Sequence, residues 1–237
     1  MQQDFQAQLE REKLDAMKEL AYGASHEINN PLANIVARAQ SLLRDEQQPG
    51  RRHALEAIHQ QAMRAHEMIS DLMLFARPPQ LDVQPFDFSA LLYELEELFA
   101  TRFSQRQISC HWRVPSTPIE IRGDRQQLAV AISALCSNAL EAVGADGTVE
   151  VLLRREPQHV SLEVSDSGPG ISSEVRKHLF DPFFSGREAG RGLGFGLSKC
   201  WRIVTDHGGT IVVHSEPGES TMISLRLPVE QGQTDAQ

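Results

Sequence analysis

The chain has 237 residues, 41% of them hydrophobic, which is enough for one large domain or two small ones. Its 23 basic and 32 acidic residues give a formal net charge of -9, and no long basic run occurs, so no nucleic-acid or anionic-membrane partner is expected. No apolar stretch approaches the roughly 18–20 residues of a membrane span, so attachment to a membrane would require a segment not present in this chain.

The first predicted element is a long helix over about residues 4–44. Its apolar residues recur at steps of three and four, a seam typical of a helix packed against other helices. These residues are Met17, Ala21, Ala24, Ile28, Leu32, Ile35, Ala39 and Leu42. Residues 45–52 contain Pro49-Gly50 and are interpreted as a turn.

A second helix is predicted by a second seam, formed by Ile58, Ala62, Ala65, Ile69, Leu72 and Phe75. Two long helices joined by a short turn form a hairpin. One hairpin buries its seam poorly, whereas two hairpins form a four-helix bundle. A homodimer is therefore expected.

A polar block interrupts the first helix, with the sequence Ser-His-Glu-Ile-Asn-Asn-Pro-Leu at residues 25–32. His26 and Asn30 share a helix face and Glu27 lies beside them. Because Pro31 has no N–H, the Glu27 carbonyl loses its helical partner, and the helix is expected to bend or loosen after His26. An imidazole beside a carboxylate at such a defect is a candidate chemical site, and the alternative is a solvated or structural histidine.

The pattern changes after Arg77-Pro78-Pro79-Gln80, which is interpreted as a linker between domains. Short strands and helices then alternate. Strands are predicted at residues 81–86, 107–114, 119–121, 149–154, 159–165, 210–214 and 221–227. Helices are predicted at 89–100 with Asp87 or Ser89 as cap, at 124–143 with a capping box from Asp124 to Gln127, and at 194–206 ended by Gly208-Gly209.

Asp166 is a candidate ligand-binding residue at the end of a predicted strand. Val160, Leu162 and Val164 share one strand face, and Asp166 has the same parity. A carboxylate on the buried side needs a partner, such as the amino group of an adenine ring. Gly168 and Gly170 would let the backbone approach a flat base. The alternative is an ordinary Asp-Ser-Gly-Pro-Gly turn.

Two further features point to a nucleotide. Asn138 lies off the buried face of its helix and offers an oxygen suited to magnesium, unless it is simply a surface amide. Residues 186–197 carry five glycines with Arg187 and Arg191 and lead into a helix N-terminus, which favours phosphate. The alternative is a flexible loop, and no Walker-type Gly-Lys-Ser/Thr follows.

Taken together, these motifs resemble those of sensor histidine kinases of two-component systems. The resemblance covers the His-Glu-Ile-Asn-Asn-Pro-Leu block, the Asn138 helix, Asp166 to Gly170, Asp181-Pro-Phe-Phe184, the glycines of residues 190–196 and His207-Gly-Gly209. It implies an α+β protein of two domains. A helical hairpin at residues 1–77 would form a dimeric four-helix bundle, an α/β sandwich at 81–228 would bind ATP, and 229–237 would be a disordered tail.

The resemblance also implies roles for individual residues. His26 would accept the phosphoryl group, Glu27 would act as base, and Asn30 would orient water for dephosphorylation of the partner, a response-regulator receiver domain. Asn138 would bind Mg2+, and Phe183 and Phe184 would anchor a lid over ATP. The nucleotide-binding set would be Asn138, Glu141, Asp166, Gly168, Gly170, Phe183, Arg187, Gly190, Arg191, Gly192, Leu193, Gly194, Gly196 and Leu197.

Ala134 departs from the family pattern, which has a second asparagine one turn before the magnesium-binding one. Ser133 lies about 100° around the helix from that position and Ser137 about 60°, so neither is an obvious replacement. One alternative is therefore a dimeric scaffold or phosphatase-dominant protein that binds ATP but transfers phosphate poorly. A second is a gyrase-like or chaperone-like ATPase, but such enzymes place a glutamate at the Ala134 position and have no use for the His26 block.

The expected location is the cytoplasm. Cys110, Cys136 and Cys200 show neither metal-ligand spacing nor a disulfide framework, which fits a reducing compartment. The chain is expected to be either the cytoplasmic part of a membrane-bound sensor or a kinase that takes its input from a partner.

Overall fold

The computed structural model describes residues 2–76, 80–181, 184 and 194–229. The chain divides into two compact units, Met1–Pro79 and Gln80–Gln237. The first unit contains two helices, α1 (Gln2–Asp45) and α2 (Pro49–Ala76). The helices of the second unit are α3 (Phe88–Gln105), α4 (Arg125–Val143), α5 (Ser173–His178) and α6 (Gly196–Asp206). Its strands are β1 (Gln84–Asp87), β2 (Ser109–Arg113), β3 (Glu120–Gly123), β4 (Thr148–Arg155), β5 (His159–Asp166), β6 (Thr210–Ser215) and β7 (Thr221–Pro228).

The first unit is a helical hairpin, and its turn is shorter than the sequence prediction. α1 is helical on both sides of Pro31, which has no N–H to donate, and the bend expected after His26 stays a prediction. Pro49-Gly50 begins α2 and does not lie in the turn, because proline is well tolerated at the first position of a helix. The turn is therefore confined to residues 46–48.

The seam of the hairpin is divided between buried and exposed positions. Ala39 of α1 and Ala62 of α2 are buried, as expected where two helices approach closely. Large seam residues stay exposed, with exposed fractions of 42% for Ile28, 43% for Ile35 and 59% for Leu42. A single hairpin thus leaves much of its apolar seam in contact with solvent.

The second unit is built on a five-stranded sheet in the order β2-β4-β5-β7-β6. The β2–β4 pair is parallel and the other pairs are antiparallel. β1 and β3 form a separate antiparallel pair. α3, α4 and α6 pack against the strands, and their buried side chains, such as Phe99, Leu135 and Ile203, form the core with Val151 and Leu225. Apolar residues alternate along β4, as the period-two pattern predicts.

The N-termini of α3 and α4 are capped by aspartates. Asp87 caps α3, since its carboxylate accepts the Ser89 N–H, and the same oxygen accepts the Ile119 N–H. Asp124 caps α4 by accepting the N–H groups of Gln126 and Gln127.

The predicted capping box at Asp124 is wrong in its second half. The Gln127 amide donates to the Asp124 carboxylate and does not accept the Asp124 N–H. The Asp124 N–H instead donates to Nε2 of His207, which lies 83 residues further along the chain.

Several boundaries differ from the predictions. β1 begins at Gln84 and not at Leu81, and β2 is shorter than residues 107–114. α3 extends past Ala100 to Gln105. The short α5 was not predicted at all, because six residues are too few for a helical period to be recognised. No helix among the described residues is both long and apolar enough to cross a membrane.

Candidate functional site

Asp166 lies at the end of β5 with 4% of its surface exposed, on the buried side that the strand parity predicts. Its Oδ1 accepts the Gly168 N–H at 2.9 Å. Burial raises the pKa of this carboxyl above its ordinary value, although the Gly168 N–H opposes the rise. The described residues supply no hydrogen bond to the second oxygen, which can accept one from a ligand.

The C-terminal part of α4 meets the loop that follows β5. A Cβ on Gly168 would lie 2.6 Å from Asp166 Oδ1 and 3.2 Å from the Ala142 carbonyl carbon, so only glycine fits there. Asn138 is one turn before Ala142 on α4, half-buried, and Glu141 is exposed. The structure therefore brings the Asn138 turn of α4 close to Asp166 and Gly168.

A close contact within the protein explains why position 170 requires glycine. Its φ is +74°, and a Cβ there would lie 1.9 Å from the Glu216 carbonyl oxygen. The turn between β6 and β7 thus approaches the backbone of this loop closely. The predicted approach of Gly170 to a base stays a prediction.

The N-terminus of α6 carries the described part of the glycine-rich segment predicted to bind phosphate. Gly194 has a φ of +72°, and Phe195 precedes the helix as a buried cap residue that makes no capping hydrogen bond through its side chain. Gly196 is exposed and Leu197 is half-buried at the first turn. Backbone N–H groups at such a terminus are suited to phosphate oxygens.

Several candidate residues lie outside the described residues. They are Phe183, Arg187, Gly190, Arg191, Gly192 and Leu193. Phe184 is described, and its ring centroid lies 5.5 Å from that of His178, whose Nδ1 is 2.7 Å from an Asp181 oxygen.

The polar block of residues 25–32 lies within α1. The backbone of His26 is helical, and its side chain lies outside the described part of the structure. Glu27 and Asn30 are both exposed, while Ser25 is fully buried. Asn29 connects the block to α2, since its Oδ1 lies 3.1 Å from Nδ1 of His66. Glu27 and Asn30 are therefore accessible to a partner or substrate.

Two hydroxyl residues beside Asp166 were missed by the sequence analysis. Thr221 of β7 is paired with Asp166, and Ser215 of β6 is paired with Thr221, so the three residues cross the sheet in one row. All three are buried, and Ser215 Oγ lies 2.9 Å from Thr221 Oγ1. The alternation of β7 could have placed Thr221 on the buried face, but no local signal joins it to Asp166.

These residues fit a nucleotide and a magnesium ion bound with it. A buried carboxylate oxygen that can still accept a hydrogen bond suits the amino group of adenine. No group of three or more His, Cys, Asp or Glu side chains that could hold a metal occurs within the described residues. Magnesium commonly keeps water and phosphate ligands, and an amide oxygen such as that of Asn138 can serve as one protein ligand beside them.

Comparison with protein families gives two matches along the chain. Residues 16–80 match the His Kinase A (phospho-acceptor) domain family. Residues 123–231 match the family described as Histidine kinase-, DNA gyrase B-, and HSP90-like ATPase. The two matches cover the polar block of α1 and both the Asn138 and Asp166 regions.

Comparison with individual proteins agrees with these matches. Sensor histidine kinase ZraS of Escherichia coli strain K12 is 32% identical over 228 residues, which are 96% of this chain and 49% of that protein. The chain thus spans about half the length of this relative. The crystal structure of full-length ShkA in complex with AMPPNP is 25% identical, with a TM-score of 0.77, over 90% of this chain and 46% of that one. Histidine kinase ThkA, in complex with response regulator protein TrrA, shares the fold at 22% identity and a TM-score of 0.68, over 94% of this chain and 65% of that one.

Proposed function

The chain belongs to the sensor histidine kinase family, and we propose that it is an ATP-dependent protein-histidine kinase that phosphorylates its own His26. The phosphoryl group then passes to an aspartate of a response-regulator receiver domain. The observation that carries the proposal is the buried Asp166 carboxylate, with one oxygen available to a ligand, beside the Asn138 turn of α4. Domain limits of 1–77 and 81–228, with a tail at 229–237, belong to the same proposal.

Nucleotide binding is assigned to four regions of the second unit. Asp166 accepts a hydrogen bond from the adenine amino group, and Gly168, whose N–H donates to the Asp166 carboxylate, lies beside the base. Asn138, with Glu141 one turn on, borders the phosphates and holds the magnesium ion, which neutralises phosphate charge when bound. The helix N-terminus at Gly194, Gly196 and Leu197 completes the phosphate site. Phe183, Arg187, Gly190, Arg191, Gly192 and Leu193 stay predictions from the sequence.

The transfer itself takes place at His26. A neutral imidazole nitrogen attacks the γ-phosphorus, a P–N bond forms, and the P–O bond to ADP breaks. Glu27 hydrogen-bonds the second nitrogen and takes its proton, so the phosphorylated ring is left neutral. Asn30 orients water in the reverse role, dephosphorylation of the partner. The exposure of Glu27 and Asn30 supports both roles.

A homodimer is part of the proposal. The exposed isoleucines and leucine of the seam, Ile28, Ile35, Leu42 and Ile58, would be covered by the hairpin of a second copy. The ThkA structure contains a response regulator, which supports a receiver domain as the partner of this chain.

The experiment that tests this function is labelling of the 237-residue chain with γ-labelled ATP and magnesium, followed by acid and alkali treatment. We expect label that survives alkali, disappears in acid and is absent from His26→Ala. His53→Ala, which changes an exposed histidine of α2, is the matched control and should label normally. Label that persists in His26→Ala contradicts the proposed acceptor.

A second candidate function is a scaffold or phosphatase-dominant protein with weak kinase activity. Ala134 favours it, since this position on α4 is one turn before Asn138 and offers no side-chain oxygen. In that case wild-type protein binds ATP but labels slowly, and Ala134→Asn increases the labelling rate by about tenfold or more, which equals about 1.4 kcal/mol of barrier. An unchanged rate in Ala134→Asn removes the argument for this candidate.

A further inference from the structure

Arg176 of α5 reaches across to the end of β6. Its Nη1 donates to the Ser215 carbonyl oxygen at 2.9 Å and to Glu216 Oε1 at 3.2 Å. The side chain is 38% exposed, so part of this contact is sheltered from solvent. Arg176 therefore fixes the first residues of the connection from β6 to β7, which we call the 216–220 turn.

The 216–220 turn and the adjoining Ser215 form hydrogen bonds with the loop that follows Asp166. The Gly218 N–H donates to the Pro169 carbonyl at 2.7 Å. The Ile171 N–H donates to Ser215 Oγ at 2.9 Å. Between these two bonds lies Gly170, whose α-carbon is so close to the Glu216 carbonyl that a Cβ would be 1.9 Å from its oxygen. The loop is thus held on both sides of Gly170.

The other end of the same loop is held by Asp166, which accepts the Gly168 N–H. Residues 168–171 are therefore fixed at one end by the carboxylate assigned to the base and at the other by the 216–220 turn. Ser215 accepts two of these hydrogen bonds: its Oγ accepts the Ile171 N–H, and its carbonyl oxygen accepts one from Arg176. Movement of this turn would be transmitted directly to the backbone that borders the base.

We propose that Arg176, acting through Ser215 and the 216–220 turn, is a positioning residue for adenine recognition by Asp166 and Gly168. The inference rests on the proposed function, because it presumes that the base binds at Asp166. Arg176 touches neither the base nor the phosphates in this scheme. Its loss should therefore weaken the contribution of the base and leave that of the phosphates nearly unchanged.

The test compares ADP with GDP, each with magnesium, by isothermal titration of the 237-residue chain. Diphosphates avoid turnover during the titration. For Arg176→Ala we expect the Kd of ADP to rise about three- to tenfold, the range that loss of a partly exposed hydrogen bond to the Ser215 carbonyl and a solvent-screened ion pair to Glu216 supplies. The Kd of GDP should rise less, so the preference for ADP, which is the Kd of GDP divided by the Kd of ADP, should fall.

Three further variants make the result specific. Arg176→Lys keeps a donor for the Ser215 carbonyl but loses the planar fork, and should lie between wild type and Arg176→Ala. Arg154→Ala is the matched control, because Arg154 also pairs with a glutamate, Glu163, at 3.0 Å and is 55% exposed. It should leave both constants unchanged. If Arg176→Ala is too unstable to titrate, Ser215→Ala removes one hydroxyl and should shift the ratio in the same direction.

Each outcome has a distinct meaning. Unchanged ADP affinity in Arg176→Ala and Ser215→Ala overturns the inference and leaves the proposed function intact. An equal loss of ADP and GDP binding also overturns it, because that result indicates a general structural role. Absence of ADP binding by wild-type protein overturns the proposed function itself.

Discussion

The buried imidazole of His207 accepts the backbone N–H of Asp124 at 2.9 Å and thereby joins the end of α6 to the beginning of α4. Because Nε2 accepts, Nδ1 carries the proton and donates to the Ile203 carbonyl at 2.7 Å. Gly123 allows the approach, since a Cβ there would lie 3.0 Å from His207 Cδ2. The two helices that border the proposed phosphate site are thus connected at their far ends.

His207→Ala should destabilise the second unit. The change leaves the Asp124 N–H and the Ile203 carbonyl without their imidazole partners in a buried site, which costs about 1–3 kcal/mol in the free energy of unfolding. Urea unfolding of the whole chain, followed by circular dichroism, measures this loss. The control is His214→Ala on β6, an exposed position that should change the free energy of unfolding little. Equal stability of the two variants would contradict the structural role of His207.

Asp124 should make stability dependent on acid pH. Burial alone would raise its pKa, but the N–H groups of Gln127, Asp82 and Gln126 outweigh burial and lower the pKa below its ordinary value. A lowered pKa in the folded state means that ionised Asp124 stabilises the fold above the unfolded pKa of about 4. This contribution is lost as the pH falls from there through the folded pKa.

Asp124→Asn tests this dependence, because asparagine can still cap α4 but cannot ionise. Urea unfolding should show the variant less stable than wild type at about pH 7, with the difference shrinking toward about pH 3. A difference that stays constant over this range would refute the linkage.

Asp166→Asn should separate stability from nucleotide binding. Since burial raises the pKa of Asp166, the ionised form is disfavoured in the folded state, and a neutral amide should leave the unliganded protein as stable as wild type or more stable. The amide still accepts the Gly168 N–H through its oxygen, but it presents an N–H2 where the base needs an acceptor. ADP affinity should therefore fall at least tenfold. Asp146→Asn, at an exposed loop position, should alter neither property.

Gly170→Ala should be far more damaging than Gly144→Ala. Both glycines have positive φ, +74° and +76°, so both variants carry the backbone strain of about 1 kcal/mol or more. Only at Gly170 would the new Cβ also collide with backbone, at 1.9 Å from the Glu216 oxygen, whereas nothing lies within 4 Å of a Cβ at Gly144. Melting temperatures and ADP titrations of the two variants isolate the collision. Similar melting temperatures and ADP affinities for the two variants would show that the 216–220 turn can move away from a new Cβ at little cost in stability.

Ile35→Glu should convert the proposed dimer into a monomer. Ile35 is 43% exposed in a single hairpin, and a charge buried at a helical interface without a partner is strongly unfavourable. Light scattering coupled to size-exclusion chromatography gives the mass directly. Val212→Glu on β6 is the control, with a matched exposure of 41%, and should keep the wild-type mass. Monomeric wild-type protein at micromolar concentration would contradict the homodimer.

Local patterns in the sequence determined most of the elements and the side of the strand on which Asp166 lies. The steps of three and four in α1 and α2, and the alternation in β4 and β5, depend only on residues that are near neighbours in the chain. The burial of Asp166 follows from its parity with Val160, Leu162 and Val164, and the structure confirms it. Motif order along the chain was also sufficient to indicate the family that the comparisons support.

Only the tertiary structure decided which residues support those motifs. Asp124 and His207 are 83 residues apart, Arg176 and Ser215 are 39 residues apart, and their contacts depend on how the helices pack on the sheet. The row of Asp166, Thr221 and Ser215 depends on strand register. Local propensity cannot specify such contacts, because a hydrogen bond between distant segments forms only after packing has fixed both of its ends.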